Sequence, residues 1–226
     1  MFSRGGSLLP SSYADARCID AVVVSKAELA EQLQCAIFVY DYPGYGQSAD
    51  VPPRESQLYS SVEAAWDCLR SRFGVPANKI VFYGQSIGSA PSVHMAAKLG
   101  KKLKKVGVTG GERYAAGGMV LHAGLSSGIR VIRPKTDCTW CCDPFQNIDK
   151  IHNVIAPTLV IHGTEDEIVP ITHGYELHSK CESAVEPLFL ESAGHNDVGL
   201  FPQYLPRVQS FVNELCESQV DHADFP

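Results

Sequence analysis

The residue with the clearest chemical potential is Ser86, which stands in the pattern Gly84-Gln-Ser-Ile-Gly88. Four apolar residues, Ile80 to Tyr83, precede the pattern as a buried strand would, and a helix-compatible segment follows. Glycines two positions either side of a serine are typical of a sharp strand-to-helix turn that exposes a nucleophilic hydroxyl. We therefore predict that Ser86 is a hydrolase nucleophile and that the backbone N–H of Ile87 holds the oxyanion. The alternative is an ordinary strand-turn-helix connection.

A serine hydroxyl needs a neighbouring general base, and the base needs a carboxylate that fixes its tautomer. In hydrolases with this turn the chain order is nucleophile, acid and histidine, each in a loop after a strand. The apolar run 158–161 is followed by Glu165, Asp166 and Glu167, of which we predict Asp166 as the acid and keep the glutamates as alternatives. The run 187–190 leads to His195, the predicted base.

Other titratable side chains fit these roles less well. His94 falls within the helix after the turn, and we expect His122 and His162, which end apolar strands, to be packed and hydrogen-bonded. His173 and His178 come before the predicted base on a helix beyond the acid loop. Asp197 follows its histidine in the same loop and would have to reach backwards to serve as the acid.

The elements that would position these residues alternate along the chain. Strands are predicted at 36–40, 80–83, 119–121, 158–161 and 187–190, and helices at 26–34, 56–73, 87–99, 172–181 and 203–216. This alternation predicts an α/β fold, a mostly parallel sheet with helices on both faces. We expect one domain at 27–217, an atypical or truncated segment at 1–26 without the early strands, and a tail at 218–226.

Composition narrows the classes of function. The net charge of −6 over 226 residues argues against a nucleic-acid partner, and the apolar segments are too short to span a membrane. Eight scattered cysteines predict reduced thiols. The first ten residues lack a long apolar signal core, so we expect a cytosolic protein, with a peripheral position at membranes as the alternative. A metal site at the cluster Cys138, Cys141 and Cys142 is the less favoured alternative, and the predicted chemistry needs no metal or organic cofactor.

A basic stretch interrupts the regular alternation at residues 98–118. It begins with five lysines and continues with glycines, and this composition predicts a mobile surface insertion. The five lysines are Lys98, Lys101, Lys102, Lys104 and Lys105. These lysines should lie at the end of the domain opposite the catalytic edge. A solvated surface is the favoured interpretation, and contact with an anionic membrane is the alternative.

Several blocks of the sequence resemble one family, the alpha/beta hydrolase domain-containing protein 17 group of protein depalmitoylases. The blocks are Tyr40-Asp-Tyr-Pro-Gly-Tyr-Gly-Gln-Ser48, Ala64-Ala-Trp66, Tyr83-Gly-Gln-Ser-Ile-Gly-Ser89, Ile161-His-Gly-Thr-Glu-Asp-Glu167, Ala184-Val-Glu-Pro-Leu188 and Gly194-His-Asn-Asp197. The resemblance implies an α/β-hydrolase fold, with Ser86 as nucleophile, Asp166 as acid and His195 as base. It also implies that the substrates are S-acylated proteins at membranes.

The beginning of the chain departs from this family pattern. Such hydrolases place a His-Gly motif on an early strand, and its loop supplies a second oxyanion donor. No such motif precedes Lys26, and Cys18 is the sole cysteine before Cys35, whereas the family carries a lipidated cysteine cluster there. Thioester hydrolysis is the leading hypothesis. The segment Leu125 to Trp140 and Phe145 is favoured as plain core, and an apolar acyl groove is its alternative interpretation. A general carboxylesterase or peptidase and a catalytically impaired scaffold remain alternatives.

Overall fold

The computed structural model describes residues 2–3, 26–46, 48, 51–106, 116–133 and 142–220. Within these residues one sheet is formed by six strands: β1 (Phe2–Ser3), β2 (Ala36–Ile37), β3 (Val81–Gln85), β4 (Gly118–His122), β5 (Thr158–Gly163) and β6 (Leu188–Leu190). Their order is β2-β1-β3-β4-β5-β6. The strands from β3 to β6 pair in parallel, whereas β1 pairs antiparallel with both of its neighbours. The mostly parallel sheet confirms the predicted fold class.

Helices connect the strands in the predicted alternation: α1 (Lys26–Leu33), α2 (Glu55–Asp67), α3 (Ser89–Val106), α4 (Gly128–Ile132), α5 (Ile171–Lys180) and α6 (Tyr204–Val220). Helix α2 continues as a π-helical turn, Cys68–Arg72. A short 3₁₀ turn, Ser86–Gly88, joins β3 to α3. The five predicted strands and helices are therefore present, although the predicted strand at 36–40 is only two residues long. No strand was predicted at Phe2–Ser3.

The sheet separates two hydrophobic cores. Every residue of β4 and β5 is buried, as expected for central parallel strands covered on both faces. Successive side chains enter opposite cores because a strand has a period of two: Phe82 and Met119 pack with α2, α3 and α5, whereas Val81 and Val120 pack with α1 and α6. This burial fixes the carboxyl ends of β3 to β6 at one edge of the sheet.

The basic stretch differs from its prediction. The prediction of a loop that begins at residue 98 is wrong, because α3 continues without interruption to Val106. Leu99 and Leu103 are buried and continue the apolar face of the helix at a spacing of four residues. The five lysines are exposed on the last turns of α3, and Lys98 Nζ lies 2.6 Å from a carboxylate oxygen of Glu63. Residues 107–115 lie outside the described part.

The predicted division of the chain at 1–26, 27–217 and 218–226 stays a prediction. Residues 4–25 and 221–226 lie outside the described part. Helix α6 continues to Val220, three residues beyond the predicted end of the domain.

Candidate active site

Ser86 occupies a strained turn at the end of β3. Its backbone φ is 49°, in the left-handed region that L-residues rarely adopt. Gly84 permits the turn, since a Cβ at that position would lie 2.5 Å from the carbonyl oxygen of Gly88. Ser89 Oγ donates to the carbonyl of Ser86 at 2.7 Å and holds the turn from its helical side. The serine therefore stands at the carboxyl edge of the sheet, where the motif predicted it.

The imidazole of His195 lies beside Ser86. Its Nε2 is 3.0 Å from Ser86 Oγ, although 109 positions separate the two residues. The loop after β6 that carries the ring is tied down through its backbone: Gly194 N–H donates to Asp197 at 2.7 Å, and His195 N–H donates to Glu167 at 3.3 Å. Because the ring is 5 % exposed, it faces the serine rather than bulk water.

Asp166 is the carboxylate that contacts the other side of this ring. Its Oδ2 lies 2.7 Å from His195 Nδ1, and its Oδ1 accepts hydrogen bonds from the N–H groups of Ile168 at 2.9 Å and Val169 at 2.7 Å. Burial by itself would raise the pKa of Asp166, but the hydrogen bonds from His162, His195 and Val169 outweigh it and hold the pKa well below its usual range. The structure thus brings Ser86, His195 and Asp166 into one line of contacts.

The acids that compete with Asp166 have other positions. Glu165 is exposed. Glu167 accepts the His195 N–H, although the residue as a whole is exposed. Asp197 accepts the N–H of Gly194 in its own loop. Asp166 is the only one of these four for which a contact with the His195 ring is found among the described residues.

The remaining strand-end histidines are buried and hydrogen-bonded, as expected. His122 Nδ1 lies 2.6 Å from the Tyr83 hydroxyl, and His162 Nε2 lies 2.7 Å from the carbonyl of Val169. Burial, followed by the neighbouring imidazoles of His162 and His195, lowers the pKa of His122 to about 3. His162 has a further contact that sequence reasoning missed, because its Nε2 also lies 3.3 Å from Asp166 Oδ2.

The helical histidines also have structural contacts. His94 stacks on Tyr59 and lies 3.0 Å from Glu63. His173 Nδ1 accepts the Ser126 N–H at 2.9 Å, and burial lowers the pKa of this ring. His178 lies 3.3 Å from the carbonyl of Val185.

Ile87 is the predicted oxyanion donor, and this role stays a prediction. It follows Ser86 in the first turn of a helical segment, where backbone N–H groups lack intrahelical acceptors. Its side chain is 44 % exposed. The segment that would carry a His-Gly donor in the family pattern precedes Lys26 and, apart from Phe2–Ser3, lies outside the described residues.

A buried polar cluster fastens the loop after β4 to the elbow. Ser89 Oγ accepts from Leu125 N–H at 3.2 Å and from Asn147 Nδ2 at 3.3 Å, and the same amide donates to the Leu125 carbonyl at 2.8 Å. Sequence reasoning missed Ser89 and Asn147, since nothing local marks the partners of a buried serine. The cluster keeps the floor of the site rigid beneath Ser86.

The predicted acyl groove is only partly described. Leu125 is buried, whereas Phe145 is half-buried with a positive φ of 57°. Residues 134–141, which include Trp140, lie outside the described part. The groove stays a prediction.

Neither a metal site nor a membrane-spanning helix is found within the described residues. No group of three or more His, Cys, Asp or Glu side chains there could hold a metal ion, and Cys138 and Cys141 lie outside that part. The Cys142 side chain is exposed. None of the helices in the described ranges is long and apolar enough to cross a bilayer.

Solved structures share this architecture. A monoacylglycerol lipase from Paleococcus ferrophilus superposes with a TM-score of 0.55 at 12 % identity, covering 83 % of this chain and 88 % of the other. A predicted CIB-like hydrolase from Thermoplasma acidophilum gives a TM-score of 0.51 at 17 % identity, covering 77 % and 70 %. The fold is that of the α/β hydrolases.

Curated relatives identify the family more narrowly. Human alpha/beta hydrolase domain-containing protein 17B is 46 % identical over 186 residues, which cover 82 % of this chain and 59 % of that protein. Mouse protein 17C is 45 % identical over 185 residues, covering 82 % and 53 %. A family model described as Chlamydia CHLPS protein (DUF818) matches residues 5–106. The chain belongs to the alpha/beta hydrolase domain-containing protein 17 family, as its motifs predicted, and spans little more than half the length of these relatives.

Proposed function

We propose that the chain is a serine hydrolase in which Ser86 is the nucleophile, His195 the general base and Asp166 the orienting acid. The observation that carries the proposal is the unbroken series of contacts from Ser86 Oγ to His195 Nε2 and from His195 Nδ1 to Asp166 Oδ2, at 3.0 and 2.7 Å. Both distances lie in the range that proton transfer and tautomer control require. The ionised state of Asp166 favours the imidazolium that forms when His195 takes a proton.

The proposed substrate is a fatty acyl thioester on a protein cysteine. Ser86 Oγ attacks the thioester carbonyl carbon, and its proton passes to His195 Nε2. The backbone N–H of Ile87 donates to the oxyanion of the tetrahedral intermediate. When the C–S bond breaks, His195 returns the proton to the departing sulfur. A free cysteine thiol leaves, and the acyl group remains as an ester of Ser86.

Water completes the cycle. His195 takes a proton from a water molecule, whose oxygen attacks the acyl-serine ester. Collapse of the second tetrahedral intermediate breaks the ester bond, releases the fatty acid and returns the proton to Ser86. One thioester and one water become one carboxylic acid and one thiol, so the cycle consumes no cofactor.

Membership of the family supports the choice of a thioester, since its motifs resemble those of protein depalmitoylases. The partners proposed are therefore S-acylated proteins presented at the cytosolic face of a membrane, with the chain acting from the cytosol or peripherally at that surface. Fold and triad by themselves accommodate many acyl groups. The acyl preference must consequently be tested separately from the nucleophile.

The test compares the wild-type chain with Ser86→Ala and with Ser179→Ala, an exposed serine on α5. Labelling by a fluorophosphonate reports an activated serine. Turnover of a palmitoyl-cysteinyl peptide is measured against that of a short p-nitrophenyl ester. We expect labelling and thioester turnover in the wild type and in Ser179→Ala, and neither in Ser86→Ala.

The outcomes separate the candidate functions. If the short oxygen ester is turned over much faster than the thioester while fluorophosphonate labelling is intact, the chain is a general carboxylesterase and not a thioesterase. Equal, slow turnover by the wild type and Ser86→Ala would indicate a catalytically impaired scaffold.

A further inference from the structure

The hydroxyl of Tyr42 faces the turn that carries Ser86. Tyr42 lies in the loop that follows β2, in the run Tyr40-Asp-Tyr-Pro-Gly44. A Cβ built on Gly88 would lie 3.8 Å from the Tyr42 hydroxyl oxygen. The phenol oxygen is thus beside the first helical turn after Ser86, the turn that also presents the Ile87 N–H.

The ring of Tyr42 is held in place by its neighbours. It packs edge-on against Tyr40, with the ring centroids 5.6 Å apart and the planes at 87°. Tyr40 in turn lies 6.4 Å from the ring of Phe38, and both pack against the core beneath α2 and α3. A turn hydrogen bond from Tyr45 N–H to the Tyr42 carbonyl, at 2.9 Å, fixes the backbone. The hydroxyl is therefore directed by packing rather than by a polar contact.

The same hydroxyl has no hydrogen-bond acceptor among the described residues. Within the described part of the chain it forms no hydrogen bond, so its proton is available to an acceptor in the cleft. Burial raises the pKa of Tyr42 above its ordinary value, and the phenol is consequently protonated at neutral pH. Tyrosine hydroxyls in half-buried positions usually find a protein partner, and the described residues supply none here.

We propose that the Tyr42 hydroxyl is a catalytic residue that donates a hydrogen bond to the substrate oxyanion, as the second donor beside the Ile87 N–H. The inference rests on the proposed function, since an oxyanion forms only if Ser86 attacks an acyl carbon. In the ground state the substrate oxygen is a neutral carbonyl. In the tetrahedral intermediate it carries a full negative charge, which a preoriented O–H stabilises more strongly.

The matched variants are Tyr42→Phe and Tyr45→Phe. The first removes only the oxygen and keeps the ring that packs on Tyr40. The second makes the same change three positions later, on a side chain that is 48 % exposed. The substrate is p-nitrophenyl acetate, whose hydrolysis does not depend on recognition of a long acyl chain. A second probe is an alkyl boronic acid, which forms a tetrahedral anionic adduct with an activated serine.

We expect Tyr42→Phe to lower kcat by about 10² to 10³-fold, the loss typical of one oxyanion donor, with KM unchanged. The affinity for the boronic acid should weaken together with kcat, because the adduct carries the same charge. Tyr45→Phe should match the wild type in both measurements. Tyr42→Phe should unfold at the same temperature as the wild type, which would show that the packing of the ring is retained.

Two results would overturn the inference while leaving the proposed function standing. One is a Tyr42→Phe variant with wild-type kcat. The other is a loss of kcat with unchanged boronic acid affinity, which would make Tyr42 a structural residue of the loop. If the wild type shows no turnover that depends on Ser86, the proposed function fails and the role of Tyr42 fails with it.

Discussion

His162 Nε2 lies 3.3 Å from Asp166 Oδ2, so the imidazole that β5 carries near its end contacts the carboxylate of the loop that follows. The same nitrogen lies 2.7 Å from the carbonyl of Val169, which can only accept, and it therefore carries the proton. Asp166 is thus surrounded by donors: two backbone N–H groups at Oδ1 and two imidazoles at Oδ2. This arrangement keeps the acid ionised inside the protein.

The first prediction concerns Asp166→Asn. Its amide oxygen can keep the two backbone hydrogen bonds, which places the NH₂ group opposite His195 Nδ1. That nitrogen must then accept, so the ring proton moves to Nε2 and the ring no longer removes a proton from Ser86. We expect kcat to fall by about 10⁴-fold, as for a triad with the wrong tautomer. Steady-state hydrolysis of a p-nitrophenyl ester measures the loss.

Glu165→Gln supplies the control for this change, because it makes the same replacement on the exposed neighbour. Its kcat should equal that of the wild type. Full activity in Asp166→Asn, or an equal loss in both variants, would remove Asp166 from the proposed triad.

The second prediction separates the two glycines of the elbow. A Cβ at Gly84 would lie 2.5 Å from the Gly88 carbonyl oxygen and 2.8 Å from its carbon, and backbone atoms cannot move aside cheaply. Overpacking of this kind costs about 1 to 3 kcal/mol, so Gly84→Ala should lower the free energy of unfolding by at least that amount. A Cβ at Gly88 meets ordinary van der Waals contact, and alanine there gains up to about 1 kcal/mol of helix propensity.

Urea unfolding of the two alanine variants measures both free energies. The free energy of unfolding of Gly88→Ala should equal or exceed that of the wild type. That of Gly84→Ala should lie well below the wild-type value. Equal destabilisation by both replacements would contradict the geometry of the turn.

The third prediction concerns stability at low pH. The pKa of His122 is about 3 in the folded protein, against about 6.5 for an unfolded histidine. Below pH 6.5 the unfolded chain binds a proton that the folded chain does not, so stability falls as the pH decreases from 6.5 towards 3. The contribution of one such group is at most about 1.4 kcal/mol per pH unit. Unfolding free energies at pH 7, 6, 5 and 4 should show this slope.

His122→Gln removes the titrating ring and should flatten the slope, leaving the part that comes from other groups such as His173. His152→Gln, which replaces an exposed histidine, is the matched control and should keep the wild-type slope. A slope that is the same in all three proteins would show that folding does not lower the pKa of His122.

Much of the fold could be read from local pattern. Apolar runs bounded by polar segments located β3 to β6 and the helices between them, because a buried parallel strand must be apolar on both faces. The predicted ends of a strand were less accurate where pairing with a neighbouring strand determines them. Within the described residues, the apolar run 36–40 pairs with β1 at Ala36 and Ile37. The lysines of 98–105 concealed the last turns of α3, where the buried hydrophobic side chains are Leu99 and Leu103.

The candidate site divides in the same way. The sequence by itself determined the elbow at Ser86, the order of the three candidate residues and the loops that carry them, because turn geometry and chain order are local properties. Tertiary structure decided which acid faces His195, that His162 shares its carboxylate, and that the Tyr42 hydroxyl is directed at the elbow. Those contacts join side chains from different strands and loops. Only packing of the sheet against its helices brings such groups within hydrogen-bond distance.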